Sequence, residues 1–184
     1  TTATMHPADV VELALKTTQN DVLPVLLPPL LKEETIVLIL QNGLGNEETV
    51  QRIAPHATII SGLASQGVHI DAPGSFTLHY DGRTHIAHFH PRRVLTPIAH
   101  LVADDLERAG IPTVRVEDYL LARWQKLAWN IPFNGLSTIY GLTSDLVLSQ
   151  HRSLVMQILE EVDAVARAYN CIVSPDFFDD LLEQ

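Results

Sequence analysis

Lys126, Asn130 and Asn134 recur every four residues in RWQKLAWNIPFNGLSTIYG, Arg123 to Gly141. On a helix, positions i, i+4 and i+8 share a face, so this spacing lines up one ammonium with two carboxamides. Such a face suits a 2-keto acid: the ammonium protonates or polarises the carbonyl oxygen, and the amides donate to carboxylate or hydroxyl. Trp124, Leu127, Trp129 and Phe133 are apolar enough to bury the rest of the helix. Pro132 lies between the two asparagines; it removes one backbone donor and predicts a kink that turns Asn134 elsewhere. Taken alone, Lys126 also reads as a surface lysine snorkelling beside Trp124, and Asn130 as a satisfied core amide.

A second group is QNGLGN, Gln41 to Asn46. It follows the apolar run TIVLILQ, and a polar, glycine-containing loop at the carboxyl end of a parallel strand lies where open α/β sheets bind ligands. Its glycines let backbone approach a ligand closely, although Asn42 and the glycines could equally form a plain turn. His85, His88 and His90 in HIAHFHPRR lack a third ligand at suitable spacing, so they read as a solvated edge and no metal is expected. Cys171 is the single cysteine and reads as a small buried hydrophobe.

The elements that position these groups follow from the pattern. VVELALKT, Val10 to Thr17, reads as a buried strand; Asn20 or Asp21 caps a helix over 22–31 that Pro24, Pro28 and Pro29 keep short; TIVLILQ is the next strand, covered on both faces. Strand, helix, strand makes a βαβ unit and a parallel sheet. After a short helix over 47–53 come ATIISGLA, GSFTLHY and THIAHFH, separated by turns at Ala72 to Gly74 and Asp81-Gly82, expected as far strands of the same sheet. A helix over 95–109 ends at Gly110 and Pro112, TVRVE adds a strand, and Asp118 caps a helix over 119–140. A last helix spans 154–168, with Leu154, Ile158, Val162 and Val165 as its stripe. The fold class is therefore α/β: a Rossmann-like unit over 1–117 followed by an all-helical unit over 118–184.

With 184 residues, 46% of them hydrophobic, the chain can bury a substantial core. A net charge of -10 argues against a nucleic-acid surface, while a few cations focused in a cleft can still hold a small anion. Lysine occurs only at Lys16, Lys32 and Lys126, so each one invites a role. No apolar run approaches the roughly 18–20 residues of a membrane span, and no secretory leader is evident, so a cytoplasmic location is expected.

The Trp-x-Lys-Leu-x-x-Asn-x-x-x-Asn run opening an all-helical second half is similar to the signature of the ketopantoate reductase family. QNGLGNEE, Gln41 to Glu48, resembles that family's other marker, and the similarity runs from about Glu12 to Tyr169. The resemblance implies NADPH-dependent reduction of 2-dehydropantoate to pantoate in pantothenate biosynthesis. It implies Lys126 as proton donor, Asn130 and Asn134 as substrate-binding residues, and Asn42 as a contact to both cofactor and substrate. It further places Lys16, in ALKTTQ, near the NADPH phosphates, Val68, after ASQG, where a backbone group meets the cofactor, and Ser144 near the place of a further substrate-binding asparagine. A homodimer through the helical domain is the implied assembly.

The sequence departs from the family pattern at both ends. The 184 residues contain no strand with G-x-G-x-x-G, so the dinucleotide domain is expected to be partial, without a pyrophosphate cradle at a helix N-terminus, and the chain alone to bind NADPH weakly. FFDDLLEQ comes before the later helices that supply a serine and a glutamate in the family, so the helical domain is expected to be truncated. Two other readings remain: a non-catalytic remnant or oligomerisation module, and a related 2-keto acid or 3-hydroxy acid dehydrogenase. The QNG marker, and the absence of a GGxxxG-like cluster before Lys126, favour the first family over a 3-hydroxy acid dehydrogenase.

Overall fold

The computed structural model describes residues 4–80 and 82–183. It contains two compact units, one up to Tyr119 and one from Leu120 onward. In chain order the first unit contains β1 (Val10–Leu13), α1 (Leu23–Leu26), β2 (Ile36–Ile39), α2 (Asn46–Ile53), β3 (Thr58–Ala64), β4 (Gly67–Ala72), β5 (Ser75–Tyr80), β6 (Thr84–His88), α3 (Pro97–Arg108) and β7 (Thr113–Arg115). The main sheet has the order β1-β2-β3-β6-β7. Its first three strands are parallel, β6 runs antiparallel to β3, and β7 is parallel to β6.

The unbroken apolar run of β2 is explained by its two covered faces. Val37 and Ile39 enter one core with Val11, Leu13, Leu23 and Val50, whereas Leu38 enters another with Ile60, Ile86, Ala99 and Val102. A strand that faces water on neither side has no position for a polar residue. Each such side chain contributes about 1.5–3 kcal/mol on burial. Thr35, at the strand's entrance, accepts from the Lys32 amide at 2.8 Å and donates to the Ala8 carbonyl at 2.7 Å, which satisfies its buried hydroxyl and pins the start of β2 beside β1.

Several expectations are corrected. β1 stops at Leu13 instead of running to Thr17, and the chain enters a 3-10 segment over Thr17–Val22. Asn20 and Asp21 fall inside that segment and do not cap α1, whose preceding residue is Val22 with no side-chain cap. The proline-rich stretch does break up as its composition requires, into the single turn α1 and a 3-10 turn over Pro28–Leu30. GSFTLHY does not join the main sheet: β5 pairs only with β4, a strand not expected from the sequence, to make a separate antiparallel ribbon. The Ala72 to Gly74 turn is its hairpin, with Gly74 at φ 80. Asp81 of the expected second turn lies outside the described residues. TVRVE contributes only Thr113–Arg115 as strand.

The second unit is helical: α4 (Tyr119–Trp129, beginning one residue before the unit does), α5 (Gly135–Tyr140), α6 (Ser144–Ala168) and α7 (Pro175–Glu183). Its core gathers Trp124, Phe133, Val147, Leu159, Val173 and Leu182, with Cys171 buried among them. The helix expected over 119–140 is interrupted by a π-helical turn at Asn130–Asn134. Pro132 has no N–H to complete the i→i−4 ladder, and a wider turn accommodates the missing bond. α6 begins ten residues earlier than the pattern indicated, and its buried stripe is Val155, Leu159, Val162 and Ala166; Val165 faces outward. Leu154 and Ile158 flank that stripe, packed against the core but only partly buried. His151, at φ -127, bends the helix internally, which hid its first turns from a regular period.

Candidate active site

In the first unit the carboxyl ends of β1 and β2 lie side by side, held to the last residue by the Leu40 amide donating to the Leu13 carbonyl at 2.9 Å. The chain leaving β1 presents Lys16, exposed and extended at φ -61, ψ 137, just before the 3-10 segment. The chain leaving β2 presents Asn42, also exposed, then Gly43 at φ 95 and Gly45 at φ 82 before α2. An added Cβ at either glycine would meet nothing within 4 Å. The positive φ, not lack of room, therefore demands glycine, and the loop backbone faces open space.

A chain of side-chain amides lies beneath this surface. Gln41 Nε2 donates to the Leu15 carbonyl at 2.7 Å and to Asn20 Oδ1 at 2.8 Å. Asn20 Nδ2 donates to Asn46 Oδ1 at 3.1 Å, and Asn46 Nδ2 donates to the Asn42 carbonyl at 3.0 Å. Next along α2, Glu47 is buried and accepts from Ser61 Oγ of β3 at 2.6 Å. Tyr119 has its hydroxyl pushed up to about 12 by burial first and then by the negative charges of Glu48 and Glu47. None of Asn20, Asn46, Glu47 or Ser61 is among the site residues expected from the sequence. The only signal was an excess of amides in TQND and QNGLGN, which turn chemistry explains equally well.

In the second unit Lys126 is half-buried on α4, and its ammonium lies below the usual lysine range because burial disfavours the charge and Arg123, one turn earlier, repels it. Arg123 is itself buried, and no motif or spacing in the sequence marks it as a site residue. Asn130 opens the π-helical turn and Asn134 closes it, and Asn134 Nδ2 donates to Asn130 Oδ1 at 3.3 Å. The two amides meet in spite of Pro132, so the expectation that the kink turns Asn134 away from its partner is corrected. Trp129 and Phe133 stack on each other, ring centroids 4.3 Å apart.

The remaining expected residues lie elsewhere. Val68 sits on the separate ribbon, paired with Leu78 and 54% exposed, outside the main sheet. Ser144 starts α6 and lines a small cavity of about 50 Å³ with Trp129 and Phe133. A wider cavity of about 580 Å³ lies at the amino ends of the parallel strands, against Asp9, Ile36 and Thr58. Glu33, Glu34 and Asp105 make its wall acidic, and it is at the wrong end of the strands for a ligand of an open α/β sheet. His88 is half-buried, bonded through Nδ1 to Thr96 Oγ1 at 2.7 Å, and its ring lies 5.3 Å from that of His90. Among the described residues no group of three or more His, Cys, Asp or Glu is arranged to hold a metal, and no helix is long and apolar enough to cross a membrane.

Comparison with known proteins agrees with the two units. Residues 1–91 match the family described as ketopantoate reductase PanE/ApbA, and residues 118–184 match its C-terminal counterpart. A 2-dehydropantoate 2-reductase of Nostoc sp. is 40% identical over 98% of this chain, which spans 58% of that relative. The crystal structure of 2-dehydropantoate 2-reductase from Geobacter metallireducens is 36% identical, superposes with a TM-score of 0.89, and is matched over 98% of this chain and 61% of its own. A D-mandelate dehydrogenase in a ternary structure with NADH and anilino(oxo)acetate, 21% identical with a TM-score of 0.87 over 99% of this chain and 60% of its own, shares the fold. The chain spans little more than half the length of these relatives. With both of its units matched in order to one family, the chain belongs to the ketopantoate reductases.

Proposed function

We propose that the whole protein reduces 2-dehydropantoate to pantoate with NADPH, with residues 1–117 serving the dinucleotide and 118–184 the substrate. The observation that carries this reading is the half-buried Lys126 on the same helical run as the bonded Asn130–Asn134 amide pair, in a chain of this family. The first unit fits a dinucleotide on two counts: Lys16 is an exposed cation suited to a phosphate, and the loop from Asn42 to Gly45 offers a side-chain amide and open backbone at the ligand end of the sheet. When bound, NADPH supplies a hydride to the carbonyl carbon of the keto acid.

The residues of this chain carry the proton and the binding. The Lys126 ammonium donates one proton to the carbonyl oxygen as negative charge grows there, and the resulting amine recovers a proton from solvent. Its lowered basicity makes the ammonium a stronger acid and moves its pKa toward the working pH, which is the condition for efficient general acid catalysis. Asn130 uses its oxygen to hold Asn134, which leaves its own N–H groups for the carboxylate or hydroxyl of the substrate. We assign Lys16 and Asn42 to the cofactor, Asn42 to the substrate as well, and give Val68 and Ser144 the same cofactor and substrate assignments that the resemblance implies. A homodimer through the helical unit is part of the proposal; a Staphylococcus aureus ketopantoate reductase with this fold is described as dimeric.

The deciding experiment follows NADPH consumption by the whole protein with 2-dehydropantoate, with other 2-keto acids, and with NADH in place of NADPH. Lys126→Ala is expected to lower kcat by about 10²-fold. A loss of less than about twofold rules out Lys126 as the general acid, and faster turnover of another 2-keto acid moves the substrate assignment to that compound.

A further inference from the structure

We propose that Asn20 and Asn46 are positioning residues of the cofactor site, the middle links of an amide chain that fixes the loop carrying Lys16 against the loop carrying Asn42. The inference rests on the assignment of Lys16 and Asn42 to NADPH.

The chain begins and ends on backbone. One end is the carbonyl of Leu15, adjacent to Lys16; the other is the carbonyl of Asn42 itself. Between them Gln41 donates to Asn20, Asn20 donates to Asn46, and Asn46 donates to Asn42, at 2.8, 3.1 and 3.0 Å. Asn20 and Asn46 each accept through the side-chain oxygen and donate through the side-chain nitrogen, two separate atoms of one planar group, whereas an ionised carboxylate of the same size has no donor. Gln41 is 4% and Asn46 is 3% exposed, so those two members of the chain are shielded from competing water.

The parallel pairing of β1 and β2 ends at Leu13 and Ile39, and one further bond from Leu40 to Leu13 completes the backbone ties there. Past that point the two loops would be free to separate, and Gly43 and Gly45 make the second loop more permissive. The amide chain supplies the missing cross-tie where the exposed Lys16 and Asn42 emerge. Two groups meant to grip one ligand gain from a fixed separation, because a misplacement of about 1 Å costs up to about 10²-fold.

The test uses the whole protein carrying Asn20→Ala or Asn46→Ala, with fluorescence titration of NADPH and backbone hydrogen exchange over residues 15–20 and 41–46 in the cofactor-free state. Each substitution is expected to weaken the NADPH Kd about tenfold, to raise KM for NADPH more than it lowers kcat, and to speed exchange in both loops. Unchanged affinity, or faster exchange confined to the substituted loop, overturns the proposal. Lys16→Ala and Asn42→Ala run in parallel separate the two levels. If they weaken NADPH binding and Asn20→Ala does not, the positioning role falls and the cofactor assignment stands; if they leave binding unchanged, the assignment falls and the positioning role with it. Should buried Asn46→Ala fail to fold, Asn20→Ala decides alone, since Asn20 is only half-buried and holds the central link.

Discussion

Asn134 donates its side-chain amide to Asn130 at 3.3 Å across a π-helical turn that contains Pro132. The proline that breaks the regular helix is therefore compatible with a paired amide face. π-Helical turns are uncommon and recur at functional sites, where the wider turn re-aims side chains that a regular helix would space differently.

Pro132→Ala tests that relationship. Restoring a backbone donor permits an ordinary α-helical ladder through 130–134, which rotates Phe133 and Asn134 relative to Lys126. In the whole protein KM for the keto acid is expected to rise about fivefold, with a smaller change in unfolding midpoint than the kinetic loss suggests. Steady-state kinetics with urea unfolding separate the two, and an unchanged KM would show that the wide turn has no part in binding.

The position of Lys126 on the pH scale gives a second expectation. A general acid must be protonated, so kcat falls as pH rises through the lysine's pKa. Burial and then Arg123 place that pKa below the ordinary lysine range, so the alkaline limb is expected below where an exposed lysine would put it. Arg123→Met removes the neighbouring positive charge and moves the limb to higher pH. A limb that stays in place, measured on protein whose circular dichroism is unchanged, would mean that the ionising group is not Lys126.

What the sequence disclosed and what it hid divide along physical lines. The apolar run of β2, the breaker prolines around α1 and the four-residue spacing of Asn130 and Asn134 are local signals, and they survive folding. The ribbon did not: Val68, Ile70, Phe76 and Leu78 alternate as strands of a covered sheet do, yet all are more than half exposed, because alternation records two faces and not what covers them. The amide chain was hidden for a different reason. Asn20 and Asn46 are 26 residues apart, and a side-chain bond between sequence-distant polar residues leaves no periodicity. The start of α6 was obscured by the bend at His151, which shifts the phase of the apolar stripe.

Ser61 and Glu47 supply a stability prediction. Both are buried, and the Ser61 hydroxyl donates to the Glu47 carboxyl group at 2.6 Å, tying β3 to the first turn of α2. Ser61→Ala removes that donor where water cannot replace it, at a cost of about 1–2 kcal/mol. Ser75→Ala, on the exposed ribbon, is the control and should shift stability by less than about 0.5 kcal/mol. Denaturant titration resolves the difference, and equal effects would mean that the Ser61 bond adds nothing beyond solvation.

Glycine gives opposite signs at two positions that look alike in sequence. Gly135 begins α5 at φ -63, ψ -55, ordinary helical geometry, and an added Cβ there meets nothing within 4 Å. Alanine loses less backbone entropy on folding, so Gly135→Ala should stabilise the helical unit by about 0.5–1 kcal/mol. Gly45 has equal room but sits at φ 82, where a Cβ crowds its own carbonyl, so Gly45→Ala should destabilise by about 1–2 kcal/mol. Because Gly45 leads directly into Asn46, the same substitution should also weaken NADPH binding in the whole protein, whereas Gly135→Ala should leave it alone. Urea midpoints that move in the same direction for both variants would contradict the backbone conformation assigned to one of these glycines.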